Sequence, residues 1–150
     1  MGARQHLLLH AAYPEGKADV RPRVLVIEDN DQNLYLVTFL LEKHGLDVIA
    51  ARDGPSGIDL ATRVKPDLIL LDIQLPGIDG YAVARAIRAN PELATLPIVA
   101  VTSYAMVGDR ERCLEAGCTD YIEKPIDAAR FMQQVATHLP PGTVSRVPNV

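Results

Sequence analysis

The chain has 150 residues, enough for one domain with a substantial core that needs no disulfide or metal staple. Its 48% hydrophobic and 23% charged shares are those of a globular, soluble protein, and a net charge of −4 argues against a general nucleic-acid or membrane-surface binder, whose surfaces are usually basic. No apolar run approaches the roughly 20 residues that span a bilayer, and "HLLLHAAY", held between His6 and His10, is too weak for a signal peptide, so the expected location is the cytoplasm.

"RVLVIE" (23–28) is a short, β-branched apolar run that predicts a first strand. "DQNLYLVTFLLEKHG" (31–45) carries Leu34, Val37, Leu40 and Leu41 at helical spacing, with Asp31 as N-cap and Gly45 where a helix C-terminus favours positive φ. "LDVIA" (46–50) is a second strand. "GPSGIDLATRVK" (54–65) is a helix with Ile58, Ala61 and Val64 on one side, ended by Pro66. "DLILL" (67–71) is the third strand and "DGYAVARAIRAN" (79–90) a helix with Val83 and Ile87 inward, stopped by Pro91. "LPIVAVTS" (96–103) is the fourth strand. "MVGDRERCLEAG" (106–117) is a helix closed by Gly117, and "CTDYIE" (118–123) is the fifth strand. "PIDAARFMQQVATHL" (125–139) is the last helix, with Pro125 in its first turn and an apolar stripe of Ile126, Ala129, Met132, Val135 and Leu139. Residues 1–20 form an N-terminal extension, 21–139 the domain, and the Pro/Gly-rich 140–150 a tail. Cys113 and Cys118 are too few for a thiolate zinc site and read as small buried hydrophobes of a reducing compartment.

Strict alternation of strand and helix implies an α/β fold, a doubly wound five-stranded parallel sheet with helices on both faces. The runs "VLVI", "LILL" and "IVAV" are continuously apolar, as strands covered on both sides must be. Ligands of such sheets bind beyond the C-terminal strand ends. Those ends carry Glu28 and Asp29 on the first strand, Asp72 on the third, Thr102 and Ser103 on the fourth, and Lys124 after the fifth, whereas the second, ending in Ala50 and Ala51, offers nothing.

Taken singly these residues have ordinary explanations. An acid after a strand is most often a turn or capping residue, and Thr102 or Lys124 alone could cap or solvate. Their joint placement at one sheet edge weakens those explanations. Three converging carboxylates repel one another and raise each other's proton affinity unless a cation intervenes. Mg²⁺ suits a few carboxylates plus water and an incoming phosphate. Asp72 is then a nucleophile toward a phosphoryl group, with Lys124 and the Thr102 hydroxyl neutralising the transferring oxygens.

The motifs "VIEDN", "LLDIQLPGIDG", "VTSYA" and "YIEKPI", in this order and spacing, resemble the receiver domain of two-component response regulators over residues 22–139. The resemblance implies a flavodoxin-like three-layer fold with strand order 2-1-3-4-5. It implies Asp72 as phospho-acceptor and Mg²⁺ as cofactor, with Asp29 a direct ligand, Glu28 acting mostly through water, and the Gln74 backbone carbonyl completing the set. Thr102 is the implied switch hydroxyl, Lys124 the phosphate-binding lysine, before a Lys–Pro bond often cis in the family, and Tyr121 the switch aromatic. Gln74 and Tyr104 stand at the two variable positions that help set phosphoryl lifetime. Glu28 replaces the commoner Asp, and Leu75 and Ile126 are further departures from the usual pattern. The implied partners are a sensor histidine kinase or histidine phosphotransfer protein and a downstream protein target, with no direct DNA binding and a monomer or weak dimer as the state. The fourth helix, fifth strand and fifth helix (105–138) form the implied output face, with Arg110, Arg112 and Arg130 as contacts. "EDNDQN" resembles cell-cycle and hybrid-kinase-associated receivers more than DNA-binding ones. The alternative is the receiver portion of a longer regulator or hybrid kinase.

Two other classes fit less well. A nucleotide or flavin site on this topology needs a Gly- or Ser/Thr-rich first loop, and "EDNDQN" is acidic and without glycine. An aspartyl phosphohydrolase usually needs a second Asp two residues after its nucleophile, where this chain has Gln74. The expectation is therefore a switch that catalyses only its own phosphorylation and dephosphorylation, not an enzyme acting on others.

Overall fold

The computed structural model describes residues 21–103 and 108–144. The readings made for residues 1–20, for Tyr104, for the start of the 106–117 helix and for 145–150 lie outside the described residues. The elements are β1 (Arg23–Ile27), α1 (Asp31–Lys43), β2 (Asp47–Ala51), α2 (Gly54–Val64), β3 (Leu68–Asp72), α3 (Gly80–Arg88), a 3₁₀ turn (Pro91–Leu93), β4 (Ile98–Thr102), α4 (Asp109–Glu115), β5 (Asp120–Glu123) and α5 (Ala128–Thr137). All strand pairings are parallel, and the order is β2-β1-β3-β4-β5. This is the doubly wound sheet the alternation predicts, in the flavodoxin-like order the resemblance implies.

Period-two alternation of the strands builds two separate core layers. Leu25, Ile27, Ile69, Leu71, Ile98 and Ala100 point to the side covered by α2, α3 and α4, where Ala61, Val83, Ile87 and Cys113 meet them. Val24, Val26, Leu68, Leu70, Val99 and Val101 point to the other side, against Val37, Leu40 and Leu41 of α1 and Phe131, Met132 and Val135 of α5. Both cysteines are buried and free, as expected of small core residues. No helix among the described residues is long and apolar enough to cross a membrane.

Several local expectations shift. The N-cap of α1 is Asn30, whose side chain accepts from the Asn33 N–H at 2.9 Å, and Asp31 is the first helical residue. Both residue types cap well, so the run "DNDQN" does not say locally which one leaves the helix. Gly45 does take positive φ, at 91°, and its N–H donates to the Glu42 carbonyl as α1 closes. The last helix begins at Ala128, not in the first turn at Pro125. Asp127 caps it by accepting from the Arg130 N–H, and Pro125 belongs instead to a turn entered through a cis Lys124–Pro125 bond. The α5 stripe gains Phe131, fully buried, while Ile126 and Ala129 are only half-buried. After α5 the chain turns through Pro140–Thr143, and Val144 packs back on the core layer beneath it.

Candidate functional site

Parallel register brings the C-terminal ends of β1, β3, β4 and β5 side by side. Ile27 lies opposite Leu71, Asp72 opposite Val101, and Thr102 opposite Glu123. Residues far apart in sequence therefore share one edge. Glu28 leaves β1 with its N–H donating to the Ala51 carbonyl, and its Oε2 accepts from the Asn30 N–H at 3.0 Å. Glu28 is buried while Asp29 is exposed. Asp72, the last residue of β3, is 4% exposed, and its Oδ1 accepts from the Gln74 N–H at 2.9 Å. Lys124 reaches between the two, with Nζ 3.5 Å from both Glu28 Oε1 and Asp72 Oδ1. The Lys124 N–H is anchored on the Thr102 carbonyl at 2.8 Å.

Carboxylate oxygens of Glu28, Asp29 and Asp72 lie within 4.8 Å of one another. Burial pushes the Glu28 carboxyl above its usual range; the charge of Asp72 and their mutual hydrogen bond act in the same direction, while the Asn30 N–H and Lys124 partly offset them. A mostly buried group of hard oxygen donors, more negative than one ammonium can balance, has the donor chemistry of a small divalent cation. The edge also presents one hydroxyl and one ammonium beside Asp72, a set suited to holding an oxyanion there.

The structure thus brings together Glu28, Asp29, Asp72, Thr102 and Lys124. Tyr121 stands apart from this cluster, half-buried on β5 opposite Ala100, with the Arg110 guanidinium 5.7 Å from its ring centre. Its carbonyl accepts from Gln134 Nε2 at 3.4 Å. Arg110, Arg112 and Arg130 are all exposed, with Arg112 lying 4.5 Å over Tyr81.

Two participants escaped the sequence. The end of β2, expected to offer nothing, is followed by Arg52, whose Nη2 donates to the Asp29 carbonyl at 3.3 Å and pairs with Asp31, tying down the acidic loop. For Gln74 the expectation is a backbone carbonyl lent to the metal and a position that helps set phosphoryl lifetime, with no contact to β4. Its side chain also donates from Nε2 to Thr102 Oγ1 at 2.8 Å and accepts from the Ser103 N–H at 3.4 Å. The available signal was its position two residues past Asp72, where a long side chain can reach the neighbouring strand end.

The surrounding backbone is close-packed. The chain folds back after Asp72 so that the Gly80 N–H donates to the Ile73 carbonyl at 3.0 Å. A Cβ at Gly80 would stand 2.5 Å from Ile73 Cα and 2.8 Å from the Asp72 carbonyl oxygen, so only glycine fits behind the site.

Comparison with known proteins agrees with this geometry. The family model for the response regulator receiver domain matches residues 24–136. The polar-differentiation response regulator DivK of Brucella anthropi is 42% identical over 116 residues, covering 77% of this chain and 94% of that protein. The receiver domain of sensor histidine kinase PA1611 from Pseudomonas aeruginosa PAO1, solved with a magnesium ion coordinated in its active-site cleft, is 36% identical, with a TM-score of 0.73 over 79% of this chain and 97% of that one. The chemotaxis protein CheY4 of Vibrio cholerae, 22% identical, covers 80% of this chain and 100% of that one at a TM-score of 0.77, a likeness of fold. A match over most of the chain, with the strand order and acidic edge seen here, leaves one conclusion: this chain belongs to the response regulator receiver domain family and is a receiver domain of two-component signalling.

Proposed function

We propose that this receiver, residues 21–139, is switched by a phosphoryl group carried on Asp72, taken from a sensor histidine kinase or a histidine phosphotransfer protein. The observation that carries the reading is Lys124 Nζ, 3.5 Å from both Asp72 and Glu28, beside a carboxylate that is buried yet sits at an open strand end. An Asp72 carboxylate oxygen attacks the phosphorus of the donor's phosphohistidine. The O–P bond forms as the P–N bond breaks, and the imidazole nitrogen leaves with the bonding pair.

Asp29, Asp72 and the Gln74 carbonyl would hold Mg²⁺, with Glu28 reaching it through water. The ion supplies charge neutralisation at the transferring oxygens. The three-carboxylate cluster supports this, as does the magnesium-bound receiver of PA1611. Lys124 adds a fixed positive charge and Thr102 a hydroxyl donor. A phosphoryl group brings roughly −1.5 to −2 charge and three acceptor oxygens. Thr102 turns toward it, its loop follows, and Tyr121 swings inward into the space released. That change alters the face made of α4, β5 and α5, where the exposed Arg110 and Arg130 await a protein partner.

Intact mass spectrometry after incubation with Mg²⁺ and a small phosphodonor tests the reading. One added phosphoryl, absent in Asp72→Asn, is the expected result. Labelling at another residue, or none with any donor, overturns it.

A further inference from the structure

We propose that the Gln74 side chain is a clasp that holds the end of β4 in its unphosphorylated position and competes with the incoming phosphoryl group for the same partners. The inference rests on Asp72 being the phospho-acceptor. Asp72 and Thr102 end neighbouring strands, with Asp72 opposite Val101, so their tips are adjacent. Gln74 starts from the Asp72 side, where its own N–H donates to Asp72 Oδ1, and its side chain crosses to β4. There both ends of the amide are in use, Nε2 donating to Thr102 Oγ1 and Oε1 accepting from the Ser103 N–H.

Those two groups, the Thr102 hydroxyl on the last residue of β4 and the Ser103 N–H just after it, can both donate. A phosphoryl group on Asp72 offers three strong acceptor oxygens and would recruit them. The Gln74 amide oxygen already takes the Ser103 N–H, and Nε2, donating to Thr102 Oγ1, holds that hydroxyl's oxygen toward the glutamine although its O–H stays available to donate. The loop leading from β4 cannot advance toward Asp72 until this amide lets go. Gln74 is thus a positioning residue that biases the two-state equilibrium toward the resting form, in addition to whatever its backbone carbonyl does.

One net hydrogen bond of this kind changes an equilibrium by about two- to tenfold. The test uses beryllofluoride, the reagent that activates the Klebsiella pneumoniae RstA receiver, 34% identical to this chain over 77% of its length. Its affinity is measured at saturating Mg²⁺ for the full chain, Gln74→Met, Thr102→Val and the double variant. Methionine keeps the length and volume of glutamine but has no amide. Gln74→Met is expected to bind beryllofluoride about two- to tenfold more tightly. That gain should shrink in the Thr102→Val background, where only the Ser103 bond of the clasp remains, which a merely structural role would not produce. Gln74→Ala, run in parallel, should move in the same direction. Unchanged or weaker binding in both Gln74 variants overturns the clasp, and so does a gain that is undiminished by loss of the Thr102 hydroxyl. Failure of the unmodified chain to take up beryllofluoride at all overturns the phospho-acceptor reading and the clasp with it.

Discussion

Lys124 shares its charge between Glu28 and Asp72, so its removal separates two effects that a single activity measurement would merge. In Lys124→Met the two carboxylates lose the ammonium that stands 3.5 Å from each, and a divalent ion no longer competes with it. Mg²⁺ affinity measured by calorimetry should rise, on the order of tenfold, while the rate of phosphoryl uptake falls by a similar factor or more. Equal falls in both would show that the lysine merely holds the edge together. The cysteines make a different residue-level prediction. Burial pushes the Cys118 thiol up to about 12 and raises Cys113 as well. A thiol whose pKa is raised by folding adds stability that is fully present below its unfolded value, near 9, and is lost as pH climbs through the folded value. Urea midpoints should therefore drop between pH 9 and 12, with a slope on the order of 1 kcal/mol per pH unit from this group, and Cys118→Ala should show a flatter profile than the unaltered chain. The polar ends of the first, third and fourth strands were legible because each follows an apolar run. The Gln74–Thr102 bond was not, because it joins residues 28 positions apart and depends on strand order.

At the scale of elements, the loop between β3 and α3 is shaped by what cannot be there. Gly80→Ala places a methyl group against the Ile73 Cα and the Asp72 carbonyl, neither of which can swing aside as a flexible side-chain end could. The expected cost is about 1–3 kcal/mol in chemical denaturation, together with weaker Mg²⁺ binding, because the backbone that yields carries Asp72. A stability loss with unaltered Mg²⁺ affinity would show that α3 moves instead. The order and type of the elements could be read from alternating apolar runs and Pro/Gly punctuation. Their ends were less legible for two physical reasons. Consecutive residues with equal capping ability, Asn30 and Asp31, leave the start of α1 degenerate. A proline is equally at home in the first turn of a helix or in a preceding turn, and only the Asp127 cap distinguishes them for α5.

Across the whole molecule the two core layers depend unequally on their helices. Phe131 is the largest fully buried side chain among the described residues and joins α5 to the layer shared with α1. Phe131→Ala should cost about 3–5 kcal/mol in global unfolding. The phosphoryl chemistry should survive in whatever fraction remains folded, because Phe131 belongs to the apolar layer between the sheet and α1 rather than to the polar edge. The two-layer plan was visible in the sequence as strands apolar on both faces. That the layers would divide the helices two and three was a matter of crossover direction, which no single segment carries. The placement of Lys124 has a further consequence. The positive charge that balances the buried acids is borne by the residue that directly follows β5, the last strand of the sheet, four residues long and paired with β4 alone among the described strands. Peripheral strands open most readily in native-state hydrogen exchange. When β5 frays, it withdraws Lys124 and strands Glu28 and Asp72 together without a counter-charge, so the opening carries an electrostatic penalty beyond its lost backbone bonds. Amides of 120–124 should exchange more slowly than their edge position alone suggests, and in Lys124→Met they should speed up selectively. The site that receives the signal thereby acts as a latch on the margin of its own sheet.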